Sequence, residues 1–220
     1  MTLYSEQFYD TIDEGSRSSA RVIVPIVAKH MPIESVCDVG CGRGIWLRTF
    51  MDYGTKVIRG LDGDYVDVNH LHIPQLAFMP ADLSRPLRLE ERFDLVMSLE
   101  VAEHLSPYCA GQFVLDLTEL SDCVLFSAAI PGQRGTGHIN EQWQSYWARI
   151  FADHEYIPLD IVRPVTWADE RVCWWYRQNT LLYVNTRALH LQVAEQHKAR
   201  VLDTVHPLCY IQALNAAEEQ

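Results

Sequence analysis

Residues 38–44 read Asp-Val-Gly-Cys-Gly-Arg-Gly and decide the fold class. They join an apolar run at 35–39, which predicts a buried strand, to an amphipathic stretch at 45–53, which predicts a helix. Glycine lets the backbone turn sharply and approach a ligand closely, and the free amides at a helix start favour an anionic group. The spacing differs from the GxGxxG of dinucleotide enzymes, and the Lys of a phosphate-binding loop is absent. The stretch therefore predicts a ligand-binding turn.

The alternation of apolar and amphipathic segments continues along the chain and predicts an α/β fold. The predicted strands are 35–39, 57–61, 76–79, 93–99, 123–128, 156–163 and 178–184, the last two as an antiparallel hairpin. The predicted helices are 18–30, which Pro25 should kink or shorten, 45–53, 107–119, 141–154 and 187–204. We expect a Rossmann-like, seven-stranded, mostly parallel sheet flanked by helices, in a single domain over residues 1–220.

The length of 220 residues suits one domain with a sizeable core. The net charge of −11 argues against a nucleic-acid substrate, which would need a basic surface stripe, and favours a small molecule. We expect no membrane partner, because no apolar run approaches the ~18 residues of a membrane span. The N-terminus lacks signal-peptide features, so a cytoplasmic location is expected. Aromatic stretches near the C-terminus permit a homodimer without requiring one.

The cysteines and histidines give no metal signature. Six cysteines in a reducing compartment predict free thiols. Cys37 and Cys41 have no second Cys/His pair at zinc spacing, and Asp67, His70 and His72 are read as solvated loop residues. The sequence thus predicts no bound metal.

Acidic residues follow the predicted strands at the edge where open α/β sheets bind ligands. Asp62 ends the second strand, about twenty residues after the glycines, where a carboxylate can accept hydrogen bonds from two ribose hydroxyls. Asp82 follows the third strand, in position to contact an adenine amino group. Glu100 and His104 follow the fourth, and His104 is a candidate base near neutral pH. The alternative is that this last turn only packs beneath the ligand.

This ordered set resembles the class I methyltransferases that use S-adenosylmethionine (SAM), over about Val36–Leu125. The resemblance implies a SAM-dependent enzyme of that fold, in which the glycine loop holds the methionine end, Asp62 the ribose and Asp82 the adenine. The alternative is a Rossmann-like domain for another nucleotide or for none. The predicted SAM-binding residues are Asp38, Gly40, Gly42, Asp62, Asp82, Leu83, Glu100 and, from an N-terminal helical segment (1–30) closing over the site, Tyr9.

Residues 130–180 are expected to form a lid loop and a substrate-side region. The loop at 130–143 is rich in glycine, as mobile lids are, and carries His138 and Asn140 at its junction with a helix. For Asn140 the alternative to a pocket residue is a helix N-cap. Residues 172–179 contain three consecutive rings, which cannot all face one way on a strand. Some should line a pocket, where rings stabilise a sulfonium ion.

Three functions stay open on this sequence. The first is methyl transfer from SAM to a small polar acceptor in small-molecule (secondary) metabolism, with His104 or His138 as the base. The second follows from a resemblance to azetidine-2-carboxylate synthases in the Asn140 loop and Tyr176. Those enzymes cyclise SAM itself and release methylthioadenosine, which implies that Asn140, Tyr176 and Thr204 accept the hydrogens of its α-amino group. The third is a SAM-binding protein without catalysis.

Overall fold

A computed structural model describes the backbone of residues 6–188 and 197–218 and the side chains of residues 13–188 and 197–217. Seven strands within these ranges form one sheet. They are β1 (Ser35–Val39), β2 (Val57–Asp62), β3 (Phe78–Pro80), β4 (Leu95–Leu99), β5 (Cys123–Ser127), β6 (Tyr156–Leu159) and β7 (Leu181–Asn185). Their spatial order is β3-β2-β1-β4-β5-β7-β6, and β7 runs antiparallel to both of its neighbours. The predicted seven-stranded, mostly parallel sheet is confirmed.

Helices cover both faces of the sheet. They are α1 (Glu6–Ala28), α2 (Ile45–Tyr53), α3 (Ala110–Leu120), α4 (Gln144–Asp153), α5 (Arg163–Thr166), α6 (Trp174–Asn179) and α7 (Pro207–Glu218). Buried side chains of α1, α2 and α6 share one apolar cluster with alternate residues of the central strands. Those of α3 and α4 share a second cluster with the intervening residues. None of the described helices is long and apolar enough to cross a membrane.

The prediction is most accurate around the glycine turn and least accurate near the C-terminus. The strand at 35–39 and the helix at 45–53 have the predicted bounds, because Gly44 and Gly54 bracket the helix in the left-handed conformation. Helix α1 begins earlier than predicted and continues through Pro25 to Ala28. Elsewhere most boundaries shift by a few residues, and the six cysteines form no disulfide.

Two C-terminal predictions are wrong. The predicted strand at 178–184 begins only at Leu181, because residues 174–179 form α6 and present their rings at helical spacing. The predicted helix at 187–204 is contradicted at 199–204, which are non-helical and packed across the α5–α6 region through hydrogen bonds with Arg163. Residues 189–196 of that prediction lie outside the described residues.

Gly40 couples the first turn of the fold to the segment after β4. Its φ is +90°, and a Cβ built there would lie 2.3 Å from Cγ2 of Val101. Both the left-handed backbone and this close approach require glycine. The two segments that flank the sheet's ligand-binding edge are therefore packed directly against each other.

We expect Gly40→Ala to lower the free energy of unfolding by about 1–3 kcal/mol, since the new methyl group adds strain at a positive φ and overlaps Val101. Urea unfolding measures the change. Gly111→Ala on α3 is the matched control, because a Cβ there meets nothing within 4 Å and helix propensity favours alanine by up to about 1 kcal/mol. Equal stability of Gly40→Ala and the wild type would contradict the packing argument.

Candidate active site

A cleft of about 910 Å³ opens at the carboxyl ends of the parallel strands. Six of the predicted SAM-binding residues line it: Gly40, Gly42, Asp62, Asp82, Leu83 and Glu100. His104 lines the same cleft. The structure therefore brings together residues that lie up to about sixty positions apart, because parallel strands end at one edge of the sheet. The side chain of Tyr9 lies outside the described residues.

Asp62 joins the ends of β1 and β2. One carboxylate oxygen accepts the amide hydrogen of Gly42 at 2.7 Å, and the other accepts the amide of Gly63 at 2.7 Å and the hydroxyl of Tyr65. A carboxylate offers about four acceptor positions, so three are already used. One ribose hydroxyl can be added directly, and a second would replace the Tyr65 hydroxyl. A Cβ at Gly42 would meet nothing within 4 Å, so the loop leaves open space beside this carboxylate.

The other two aspartates differ in exposure. Asp38 is buried and lines neither this cleft nor the cavity beside it. Burial, and then the nearby Asp62 carboxylate, raise the pKa of Asp38 well above its usual value, and its Oδ2 has no hydrogen-bond partner among the described residues. Asp82 is exposed at the cleft, and hydrogen bonds from the Ser84 hydroxyl and amide lower the pKa of its carboxyl. Asp82 can thus accept from an adenine amino group, whereas Asp38 lies behind the glycine loop.

Glu100 is held in a left-handed backbone conformation, with φ of 56°, directly after β4. Its carboxylate accepts from Gln133 Nε2 at 2.8 Å and from Asn179 Nδ2 at 3.1 Å. Burial raises the pKa of Glu100, and these amide hydrogen bonds act in the opposite direction. Gln178 extends the network by donating to Gln133 Oε1 at 3.1 Å. Sequence reasoning missed the three amide residues, although the consecutive pair at 178–179 after the rings was a signal of a buried polar cluster.

A second cavity of about 440 Å³ adjoins the cleft and shares Gly40, Gly42, Glu100 and His104 with it. Aromatic rings form much of its wall: Trp46, Trp174, Trp175 and Tyr176. The Tyr176 hydroxyl lies 3.2 Å from Ser16 Oγ, and its ring meets Trp46 edge to face. Burial raises the pKa of Tyr176 well above its usual value, so its hydroxyl stays protonated.

Helix α1 closes one side of this second cavity. Asp13 and Ser16 line it, and Asp13 contacts Arg43 Nη1 at 3.5 Å and His72 Nε2 at 3.1 Å. His72 is therefore a contact residue of α1 rather than a solvated loop residue. The contact ties the described part of the N-terminal segment to the glycine loop.

The two predicted histidines stand side by side at the junction of the cavities. The rings of His104 and His138 meet edge to face, with centroids 4.9 Å apart. Nδ1 of His104 lies 3.3 Å from the carbonyl oxygen of Gly137, and Nδ1 of His138 lies 3.0 Å from Glu141 Oε1. Burial, and then the neighbouring His138, lower the pKa of His104. His104 is thus neutral near physiological pH, the state that a base requires.

Asn140 and Thr204 line neither cavity. The Asn140 side chain is buried, donates to Ala102 O and accepts from Gln142 Nε2. The N-cap alternative for Asn140 is wrong, because α4 begins at Gln144 with Trp143 before it. The Thr204 hydroxyl accepts from Arg163 Nη1 at 3.1 Å and donates towards Gln178 O. Of the residues predicted for cyclisation, only Tyr176 lies on the cavity wall.

The Glu141 carboxylate stabilises the loop at 130–143 through hydrogen bonds within the loop. Glu141 accepts from the amides of Gly132 at 2.8 Å and Arg134 at 2.7 Å, in addition to His138 Nδ1. The same loop carries Gln133, which reaches Glu100. These hydrogen bonds hold the loop at the wall of the second cavity, which its residues 133–136 and 138 line.

We expect Asp62→Asn to weaken SAM binding at least about 10-fold, because hydrogen bonds to a charged group contribute about 1.5–3 kcal/mol. Isothermal titration calorimetry with SAM measures the change. Asp52→Asn on the exposed face of α2 is the control and should bind SAM like the wild type. Unchanged affinity in Asp62→Asn would contradict the assignment of Asp62 to the ribose.

We expect Asp38→Asn to gain stability relative to the wild type as the pH rises above the ordinary pKa of an aspartate, which is about 4. A carboxyl whose pKa is raised by folding stabilises the fold fully below its unfolded pKa, and this contribution is lost as the pH rises through the folded pKa. Asparagine has no proton to lose, so the variant escapes that loss. Thermal unfolding of the ligand-free proteins across this range is the measurement. A stability difference that does not vary with pH would refute the assignment.

Residues 12–112 match the model of a family described as a methyltransferase domain. No curated protein sequence matches the chain significantly. Many solved structures share its fold, and three of them illustrate the likeness. Magnesium protoporphyrin IX methyltransferase (ChlM) from Synechocystis PCC 6803 with bound SAM is 21% identical, with a TM-score of 0.58 over 78% of this chain and 80% of its own.

The other two structures come from Streptomyces. DesVI from Streptomyces venezuelae is 15% identical, with a TM-score of 0.62 over 82% of this chain and 96% of its own. The CcbJ methyltransferase from Streptomyces caelestis is 13% identical, with a TM-score of 0.56 over 76% and 90%. At these identities the likeness shows the fold, and the family match extends over a little under half of the chain. The chain therefore has the fold of the class I SAM-dependent methyltransferases, and its residues 12–112 resemble a methyltransferase domain.

Proposed function

We propose that the protein transfers the methyl group of SAM to a small polar acceptor in small-molecule metabolism. The observation that carries this proposal is the second cavity, which shares four residues with the SAM cleft and has its own wall of rings and imidazoles. An acceptor held there lies beside the end of the cleft where the glycine loop would hold the methionine part of SAM. Such a position supports a direct transfer between two bound molecules.

The side chains of the second cavity suit this chemistry. SAM supplies an activated methyl group, so the protein's contribution is to orient the acceptor and to remove its proton. His104 borders both cavities and is neutral near physiological pH, which makes it the first candidate base. His138 stands against it as the second. The rings of Trp46 and Tyr176 favour a positively charged sulfonium nearby.

Size and charge favour a small acceptor. A cavity of about 440 Å³ is in the range of small-molecule sites, and the net charge of −11 opposes a nucleic-acid substrate. Among the proteins of similar fold, ChlM is a methyltransferase of magnesium protoporphyrin IX.

The single domain over residues 1–220, the cytoplasmic location and the homodimer remain predictions of the sequence.

The second candidate function is cyclisation of SAM to azetidine-2-carboxylate, and the position of Tyr176 favours it. In that reaction the neutral α-amino nitrogen attacks the γ-carbon, the carbon–sulfur bond breaks, and methylthioadenosine leaves while the nitrogen loses a proton. The paired hydroxyls of Tyr176 and Ser16 lie on the cavity wall next to the glycine loop, where they can orient an amine. Asn140 and Thr204 would have to move to take part.

The test is to incubate the protein with SAM alone and then with pools of small hydroxyl and amine compounds, following products by liquid chromatography and mass spectrometry. We expect SAM to stay intact alone and S-adenosylhomocysteine to form with an acceptor. His104→Ala should then lower kcat by about 10²–10⁴-fold with little change in SAM affinity. Methylthioadenosine and azetidine-2-carboxylate in equal amounts from SAM alone would overturn methyl transfer in favour of cyclisation. SAM binding with no product from any pool would leave only a binding function.

A further inference from the structure

We propose that Glu103, His104 and His138 form a binding site for one divalent transition-metal ion at the wall of the second cavity. One ligand atom from each side chain lies within 4.8 Å of the other two, and all three residues line that cavity. Two imidazoles and one carboxylate are a ligand set that zinc, manganese, iron and cobalt ions accept. The proposal adds a metal that the sequence did not predict.

The carboxyl group of Glu103 is the strongest part of this argument. Its side chain is fully buried, and neither oxygen makes a hydrogen bond of good geometry with any described residue. A buried carboxyl without partners is costly, and native structures rarely keep one without a purpose. Burial, reinforced by the nearby Glu100 carboxylate, raises the pKa of Glu103 despite the backbone amides of Glu103 and Ala129. A bound cation would satisfy both oxygens and compensate their charge.

The two imidazoles are already oriented as metal ligands usually are. A carbonyl oxygen can only accept, so Nδ1 of His104 donates its hydrogen to Gly137. Nδ1 of His138 likewise faces the Glu141 carboxylate. Metal-binding histidines commonly donate their second nitrogen to a carbonyl or a carboxylate, which fixes the tautomer and leaves the other nitrogen free for the ion. No described residue makes a hydrogen bond with Nε2 of either imidazole.

Three protein ligands would leave positions open towards the cavity. If the proposed methyl transfer holds, an oxygen of the acceptor can take such a position, and the ion would then lower the pKa of the acceptor hydroxyl. With both Nε2 atoms on the metal, the ion replaces His104 as the group that activates the acceptor. The site would also tie the 130–143 loop, through His138, to the turn after β4.

The experiment uses the full chain, from which a chelator has removed any metal. Isothermal titration calorimetry with Mn²⁺ and with Co²⁺ measures binding, and the loss of the electron paramagnetic resonance signal of free Mn²⁺ is a second readout. We expect one equivalent to bind. Glu103→Gln and His138→Ala should each weaken binding at least about 10-fold, since even outer-shell changes cost that much. His154→Ala is the matched control, because this histidine follows α4 outside the cluster. SAM affinity, measured in parallel, shows whether each variant is folded.

Three results would overturn the site. The first is that neither ion binds to the wild type, and the second is that Glu103→Gln and His138→Ala bind the ions as tightly as the wild type does. The third is a Co²⁺ spectrum with thiolate charge transfer, which would place the ion on the free cysteines. The outcome is independent of the proposed function. Metal bound without any methyl transfer would support the site alone. Methyl transfer by a protein that binds neither ion would support the function and overturn the site.

Discussion

The hydrogen bond between the Gly42 amide and the Asp62 carboxylate is the contact on which the rest of the site depends. It fixes the end of β1 against the end of β2, and the amides of Gly40 and Cys41 reinforce it by donating to Leu61 O. The packing of Gly40 against Val101 then extends the same junction to β4. Three strand ends are thereby locked at one edge, and the cleft and the second cavity are built on that edge.

Sequence predicts those parts of the fold that are encoded locally. The bounds of β1 and α2 follow from glycines whose positive φ values start and stop the segments, so no tertiary information is needed. The predicted strand at 178–184 starts three residues too early, because residues 178–179 end α6, whose partners are on α1, α2 and the loop. Tertiary contacts decide between helix and strand for such a short apolar run.

The site residues likewise fall into two groups, those that the local sequence predicts and those that depend on tertiary contacts. Asp62, Asp82 and Glu100 are predictable because each lies at or just after the end of a strand, and parallel strands end together. The isolation of Glu103 and the amide network of Gln133 and Asn179 depend on three distant segments meeting, which spacing along the chain does not reveal. The distance of Thr204 from the cavities has the same origin, since Arg163 holds it elsewhere.

The amide network around Glu100 connects the larger cleft with the second cavity, so that binding in one can affect binding in the other. Glu100 borders the larger cleft, while Gln133 and Asn179 belong to the loop and helix beside the second cavity. Binding free energies that share an element are coupled reciprocally. If the proposed methyl transfer holds, selection for a new acceptor through these two amides would also alter the affinity for SAM. In that case, a mutation that changes the acceptor specificity would also change the affinity for SAM, and the two affinities would evolve together.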